Sequence, residues 1–205
     1  MYIAIIDYEM GNIKSVKNSF EKAGADIKVT ADPGIIKNSS AVILPGVGAY
    51  GNALLNLERM NLVKVIHKAA GEKPFLGVCL GMQLLFDYSL EGGKNKGLSL
   101  FSGSVEKIPT GVKIPHIGWN QIDIRMKDSK LLSGIKNGGY FYFVHSYHVI
   151  PEDLSIISST TEYGTDLVAS IEKDNIFGFQ FHPEKSSIIG QELIKNFIKM
   201  VQRDR

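Results

Sequence analysis

The sequence predicts an α/β fold: an open, mostly parallel sheet flanked by helices, with additional antiparallel strands. Three observations predict it. In the first half of the 205 residues, short apolar runs alternate with segments of helical periodicity. Those runs are apolar throughout, as in strands of a parallel sheet covered on both faces. The second half replaces helices with a series of strand-like segments, closed by one final helix.

Taken in order, Tyr2–Asp7 is a buried strand ending in an acid. Asn12–Ala23 follows as a helix, with Ile13, Val16, Phe20 and Ala23 on one stripe, Asn12 as N-cap and Gly24 as the stop. Ile27–Thr30 is a second strand, and Asp32-Pro33 starts a short helix. Ala41–Leu44 is a third strand running into Pro45-Gly46-Val47-Gly48. Helical sequence spans Asn52 to Ala70 with an interruption near Asn61. Phe75–Cys79 is the fourth strand, and helical sequence leaves it from Gly81 to Phe86. Strands then follow at Gly103–Ile108, Gly118–Ile124, Gly139–Val149, Ser155–Thr161, Val168–Glu172 and Ile176–Phe181. Asp174-Asn175 forms a hairpin turn between the last two. Ser187–Val201 is the closing helix, with Leu193, Phe197 and Val201 on its apolar stripe. The β-rich half is expected to extend the same core, and residues 1–205 to form a single domain.

Composition narrows the function classes. Twenty-three basic against 21 acidic residues leave a net charge of +2, with the lysines scattered. That balance offers no electrostatic footprint for nucleic acid. One cysteine cannot form an internal disulfide, which suits a reducing cytosol. The N-terminus turns acidic at Asp7, too soon for a secretory leader, and no apolar stretch is long enough for a membrane helix. A cytoplasmic protein is expected, without membrane, metal or cofactor.

The lone cysteine, Cys79, sits in Gly77-Val78-Cys79-Leu80-Gly81 between an apolar strand and helical sequence. Strand, sharp turn with flanking glycines, then helix is the nucleophile-elbow arrangement, here with Cys in the place of Ser. A lone cysteine in an apolar strand is more often a small core residue. The glycines and the strand-turn-helix context reverse that weighting. A thiol nucleophile needs a base and a group to orient it. Gln180-Phe181-His182-Pro183-Glu184 follows the last strand, where the sites of α/β folds are built. Pro183 biases His182 toward extended backbone, so His182 and Glu184, two residues apart, can point to one side. Cys79, His182 and Glu184 are then nucleophile, base and orienter. The helix start at Cys79 and a nearby imidazolium would favour the thiolate. The Leu80 N–H and the Gly46-Val47-Gly48 loop are the candidate oxyanion donors. Gln83, one helical turn beyond Cys79, is a candidate for binding an amide substrate. His67 reads as surface. Trp119 and the aromatic run Tyr140–Phe143 read as core or partner surface.

These motifs resemble the class I (triad) glutamine amidotransferases, and among them the glutaminase-subunit family of imidazole glycerol phosphate synthase. The resemblance rests on Ile6-Asp7-Tyr8 with Gly11-Asn12, Leu44-Pro45-Gly46-Val47-Gly48-Ala49 and Gly77-Val78-Cys79-Leu80-Gly81-Met82-Gln83. It continues in Pro115-His116-Ile117-Gly118-Trp119-Asn120, Tyr142-Phe143-Val144-His145-Ser146-Tyr147 and Gly178 to Ser186, covering essentially the whole chain. It implies that Cys79, His182 and Glu184 hydrolyse glutamine, with Val47, Gly48 and Leu80 around the oxyanion. Gly46, Gln83, His145 and Ser146 are implied as substrate contacts, and Asn12, Trp119 and Lys185 as partner contacts. The implied partner is a (β/α)8-barrel cyclase subunit that receives the ammonia for imidazole glycerol phosphate formation. Glutaminase activity is then expected to be weak alone and to rise with the partner, through the oxyanion loop. Many members carry glycine where this chain has Glu9, so a loop that uses positive φ there would have to differ.

The nearest alternative is a paralogous glutaminase subunit serving another acceptor, such as surface-sugar amidation. Anthranilate-synthase-type glutaminases tend to show Pro-Gly-Pro-Gly and Gly-His-Gln where this chain has Val47 and Met82. A cysteine peptidase would need an open groove, and a non-catalytic module would not need the whole triad.

Overall fold

A computed structural model describes residues 1–203. The first half runs β1 (Ile3–Ile6), α1 (Ile13–Lys22), β2 (Ile27–Thr30), α2 (Pro33–Lys37), β3 (Ala41–Gly46), α3 (Tyr50–Arg59), α4 (Val63–Glu72) and β4 (Phe75–Cys79). The second half begins with α5 (Leu80–Gln83), β5 (Phe86–Ser89), β6 (Asn95–Lys96), β7 (Phe101–Lys107), β8 (His116–Gln121) and β9 (Asp123–Ile124). It continues with β10 (Tyr140–His145), β11 (Tyr147–Pro151), β12 (Ile157–Glu162), β13 (Asp166–Lys173), β14 (Ile176–Phe179) and α6 (Ser187–Arg203).

Eight strands form the main sheet, in the order β2-β1-β3-β4-β14-β13-β12-β9. β2 through β14 in that order pair in parallel, and β14 through β9 are antiparallel. Helices α1 and α6 cover one face, where Phe20 meets Phe197 edge-on at 6.1 Å. Helices α2, α3 and α4 cover the other through Ile36, Ala53, Leu57, Ile66 and Ala69. This is the mostly parallel, helix-flanked sheet that the apolar strand runs predict.

Local chemistry explains the helix starts. Asn12 Oδ1 accepts the Ser15 N–H at 3.4 Å, and Asp32 Oδ1 accepts those of Gly34 and Ile35 at 2.6 and 3.1 Å. Pro33 opens α2, where its missing N–H costs nothing. Asn61, at φ 56°, separates α3 from α4 where the interruption is expected. No helix among the described residues is long and apolar enough to cross a membrane.

The structure departs from the sequence expectation in four places. Helix α5 after Cys79 is a single turn, because the carbonyls of Leu84 and Leu85 accept N–H groups from Leu98, Leu100 and Phe101. The chain therefore enters β5 at Phe86 rather than continuing as helix. The expected strand Gly139–Val149 is two strands broken at Ser146: β10 pairs with β8, and β11 pairs with β7. The β-rich half extends the main sheet only through β9 and β12–β14, while β8 and β10 form a two-stranded ribbon. β5, β6, β7 and β11 form a third sheet. Finally, the loop at Glu9 keeps positive φ without glycine: Glu9 itself stands at φ 65°.

Candidate active site

Three strand ends converge here. Gly46, the last residue of β3, is the register partner of Cys79, the last residue of β4. β14 lies on the other side of β4 and leads through Gln180 to His182. A parallel sheet exposes its C-terminal strand ends together, so residues far apart in sequence meet at one rim.

Cys79 has φ 55° and ψ −113°, a conformation that β-carbon-bearing residues rarely adopt. Its neighbours allow it. A β-carbon on Gly77 would lie 2.7 Å from the Gly81 carbonyl oxygen, and one on Gly81 would overlap the Leu44 carbonyl. Both glycines are therefore needed for the turn to fold against β3, which is the elbow predicted from the flanking glycines. The one-turn length of α5 removes most of the helix-dipole support expected for the thiolate.

His182 Nδ1 donates to Glu184 Oε1 at 2.8 Å, and both side chains are almost fully buried. The pairing arises differently from the predicted extended geometry. His182 is extended, but Pro183–Lys185 is a 3₁₀ turn that brings Glu184 back to the imidazole. The His182 N–H donates to the Tyr142 carbonyl at 2.9 Å. Ser186 braces the same loop, donating to the His182 carbonyl at 2.6 Å and accepting the Tyr142 N–H at 3.0 Å. Burial alone would depress His182 basicity and is the largest influence. The Cys79 sulfur and the Glu184 carboxylate together outweigh it and hold the imidazolium up to about 9. Nε2, the nitrogen left for exchange with the thiol, is buried with no hydrogen-bond partner.

A cavity of about 440 Å³ opens beside Cys79. Val47, Gly48, Leu80, Gln83, His145, Ser146 and Lys185 line it, so most sequence-predicted site residues meet at one place. Gly46 lies just behind: a β-carbon there would be 2.6 Å from the Tyr8 hydroxyl and 2.9 Å from Leu80 Cβ. Two predicted partner contacts lie outside the cavity. Asn12 caps α1, and Trp119 is half exposed on β8, edge-on to Tyr142 at 6.1 Å. Gln83 is less free than expected, because its Nε2 already donates to the Tyr147 carbonyl at 2.9 Å and to Gln180 Oε1 at 3.0 Å.

Sequence reasoning missed four residues. Gln180 is fully buried and directs Nε2 at Cys79 Sγ, 3.7 Å away. Its place two residues before His182 was the available signal. Tyr8 donates to the Pro45 carbonyl at 2.8 Å, fixing the end of β3, and burial raises its hydroxyl above the usual tyrosine range, with the Cys79 charge adding to it. His116 joins the site through His145, at 3.0 Å between ring nitrogens. Glu91 is the one carboxylate among the cavity-lining residues, and it accepts the Tyr50 N–H at 2.8 Å, at the start of α3. Nothing local marks Glu91, which arrives on the β5–β6 turn that the sequence pattern hides. Among the described residues, no group of three or more His, Cys, Asp or Glu side chains could hold a metal ion.

Nucleophile elbow, histidine–carboxylate pair and glycine loop at adjacent strand ends form an arrangement for acyl transfer from an amide. Known proteins are similar to the chain that carries it. The family "Glutamine amidotransferase class-I" matches residues 4–201. The imidazole glycerol phosphate synthase subunit HisH of Aquifex aeolicus is 48% identical over 205 residues, 99% of each chain. That of Caldanaerobacter subterraneus subsp. tengcongensis is 50% identical over 202 residues, 98% of each chain. In fold, the chain is similar to PurLQS from Thermotoga maritima, with TM-score 0.76, 19% identity and coverage of 99% and 98%. It is also similar to the glutaminase domain of Trypanosoma brucei CTPS with bound acivicin, with TM-score 0.72, 18% identity and coverage of 99% and 94%. The geometry around Cys79 and the full-length identity agree: this chain belongs to the class-I glutamine amidotransferases, among the HisH-type subunits of imidazole glycerol phosphate synthase.

Proposed function

We propose that Cys79, His182 and Glu184 form the triad that releases ammonia from glutamine. The Cys79 thiolate attacks the side-chain amide carbon, and the carbonyl electrons move to oxygen. The backbone N–H groups of Leu80 and of the Val47-Gly48 loop receive that oxyanion. As it collapses, the C–N bond breaks and the His182 imidazolium protonates the departing amine. Neutral His182 then takes a proton from water, which attacks the thioester and regenerates the thiol with glutamate as product. Glu184 holds the His182 tautomer throughout. Glutamine also carries an α-ammonium, and Glu91 is its natural counter-charge in the cavity. Gly46, Gln83, His145 and Ser146 shape the remaining contacts.

Ammonia then passes to a (β/α)8-barrel cyclase subunit, which forms imidazole glycerol phosphate and aminoimidazole carboxamide ribotide. Asn12, Trp119 and Lys185 form part of the surface that meets it, in a cytoplasmic heterodimer. The name carried by the relatives favours this acceptor over surface-sugar amidation. The observation that carries the reading is the strained Cys79, which lines the cavity, backed by the buried His182–Glu184 pair.

The test is Cys79→Ala in complex with the barrel subunit. Glutamine-dependent synthesis should vanish, while synthesis from added ammonium salt persists. Loss of both in an intact complex would overturn the division of labour.

A further inference from the structure

The hydrogen bonds around Gln180 have a fixed polarity. Tyr147 contributes a carbonyl, which only accepts. His145 Nδ1, 2.9 Å from it, must therefore carry the proton, and neutral His145 presents Nε2 as an acceptor. His116 Nδ1, 3.0 Å from that Nε2, must then be the donor, leaving His116 Nε2 to accept from Asn120 Nδ2 at 3.3 Å. The Asn120 amide cannot reverse, because its Oδ1 accepts the Gln121 N–H at 2.8 Å and its Nδ2 donates to the Glu162 carbonyl at 2.8 Å.

On the other side of the Tyr147 carbonyl, Gln83 Nε2 donates to it and to Gln180 Oε1. That leaves Gln180 Nε2 facing Cys79 Sγ at 3.7 Å. Every tautomer and amide orientation along the line is thus set by backbone groups at Gln121, Glu162 and Tyr147. The imidazoles stay neutral, as the polarity requires. Burial depresses His116 to about 4, and burial, its largest influence, with neighbouring imidazoles depresses His145 to about 3. His116 is stacked on the rings of Phe143 and Tyr163, at 4.8 and 4.0 Å.

We propose that the Gln180 amide is a catalytic donor to the Cys79 thiolate, held N–H-first by Gln83, whose Nε2 donates to the Tyr147 carbonyl that His145, itself bonded to His116, holds in place. A donor that cannot turn away favours the charged sulfur over the neutral thiol, because only the thiolate accepts strongly. Gln83, His145 and His116 are positioning residues in this scheme. The line begins on β8, the strand that carries exposed Trp119, so the ribbon and the nucleophile share one polar network.

The inference deepens the triad reading and takes Cys79 as the nucleophile from it, but its test needs no glutamine. Cys79 is the only thiol in the chain, so alkylation of the full-length protein by iodoacetamide reports on that sulfur alone. Gln180→Leu should displace the rate–pH profile to higher pH by about one unit, the low end for a hydrogen bond to a charged group, with the alkaline plateau unchanged. The near-isosteric Gln180→Glu keeps the shape, should displace it further, and serves where Gln180→Leu does not fold. His145→Leu should give a smaller displacement that disappears in the Gln180→Leu background. A Gln180→Leu or Gln180→Glu profile that coincides with the parent overturns the donor role. Additive displacements in the double variant overturn the line through His145. Neither result bears on whether glutamine is hydrolysed, so the triad reading stands or falls separately.

Discussion

Gly46 and Cys79 are direct partners across the parallel β3–β4 pair, so the glycine loop and the Cys79 elbow leave the sheet side by side. The loop can approach only because Gly46 lacks a side chain. Its missing β-carbon would fall 2.6 Å from the Tyr8 hydroxyl, 2.9 Å from Leu80 Cβ and 3.0 Å from the Gly81 nitrogen.

Gly46→Ala should therefore destabilise the chain by about 1–3 kcal/mol, as overpacking does, and remove glutaminase activity. The nearest obstacle is the Tyr8 hydroxyl, so that part of the clash is separable from the contacts with Leu80 and Gly81. Tyr8→Phe alone deprives the buried Pro45 carbonyl of its 2.8 Å donor and should cost roughly 1 kcal/mol. In the Gly46→Ala background the same change removes the clashing oxygen and should instead stabilise. Urea midpoints of the four proteins measure this coupling. Strict additivity would show that the Tyr8 hydroxyl is not what excludes a side chain at position 46.

The buried histidines predict a stability maximum near neutrality. His182 is raised from 6.5 to about 9, so its contribution is complete below pH 6.5 and is lost as pH rises through about 9. His116 and His145 are lowered from 6.5 to about 4 and about 3. They remain neutral in the fold while the unfolded chain takes up protons, so stability falls as pH drops from 6.5 toward 3. Denaturant midpoints from pH 4.5 to 9 should trace both limbs. His182→Asn should flatten the alkaline limb, and His145→Asn should flatten the acid limb. An alkaline limb unchanged in His182→Asn would mean that Cys79 and Glu184 do not sustain the imidazolium.

The grouping of Cys79 with the His182–Glu184 pair was legible because its parts carry local signatures: glycines around Cys79, and a proline between His182 and Glu184. The parallel half was legible because fully buried strands read as apolar runs. What escaped depends on pairing at long sequence separation. The helix after Cys79 stops because chain segment 98–101 captures the carbonyls of Leu84 and Leu85, and no periodicity in residues 80–86 encodes that. Ser146 breaks a continuous strand pattern because the strands before and after it find partners in different sheets. Glu91 and His116 reach the site only through that rearranged half. Glu91 stands in no motif, and His116 stands in one as His145 does, but only the β8–β10 register sets the two imidazoles together.

Glu9 occupies a left-handed position that costs a side-chain-bearing residue about 1 kcal/mol. Its carboxylate pairs with Arg59, but both side chains are about 60% exposed, and such pairs contribute little. Glu9→Gly removes the strain and the pair while making the unfolded chain more flexible. The expected net is a change between zero and about 1 kcal/mol in the stabilising direction, read from the denaturant midpoint. A loss above about 1 kcal/mol would show that the Glu9–Arg59 contact holds the loop, since backbone relief could no longer dominate.

Glu91 accepts one backbone N–H and lines the cavity, and under the proposed function these become two separable tasks. One carboxylate oxygen accepts the Tyr50 N–H at the start of α3, a helix whose N-cap residue, Ala49, has no side-chain acceptor. The charge faces the cavity, where it suits the α-ammonium of glutamine. Glu91→Gln keeps an oxygen for the Tyr50 N–H and removes the charge. The denaturant midpoint should therefore stay close to that of the parent. KM for glutamine should rise about tenfold or more, the scale of one hydrogen bond to a charged group, and kcat should change little because the ammonium is remote from the scissile amide. Glu91→Ala should add a stability loss of roughly 1 kcal/mol from the lost cap. A fall in kcat at constant KM would assign Glu91 to the glycine loop that precedes α3 rather than to the substrate.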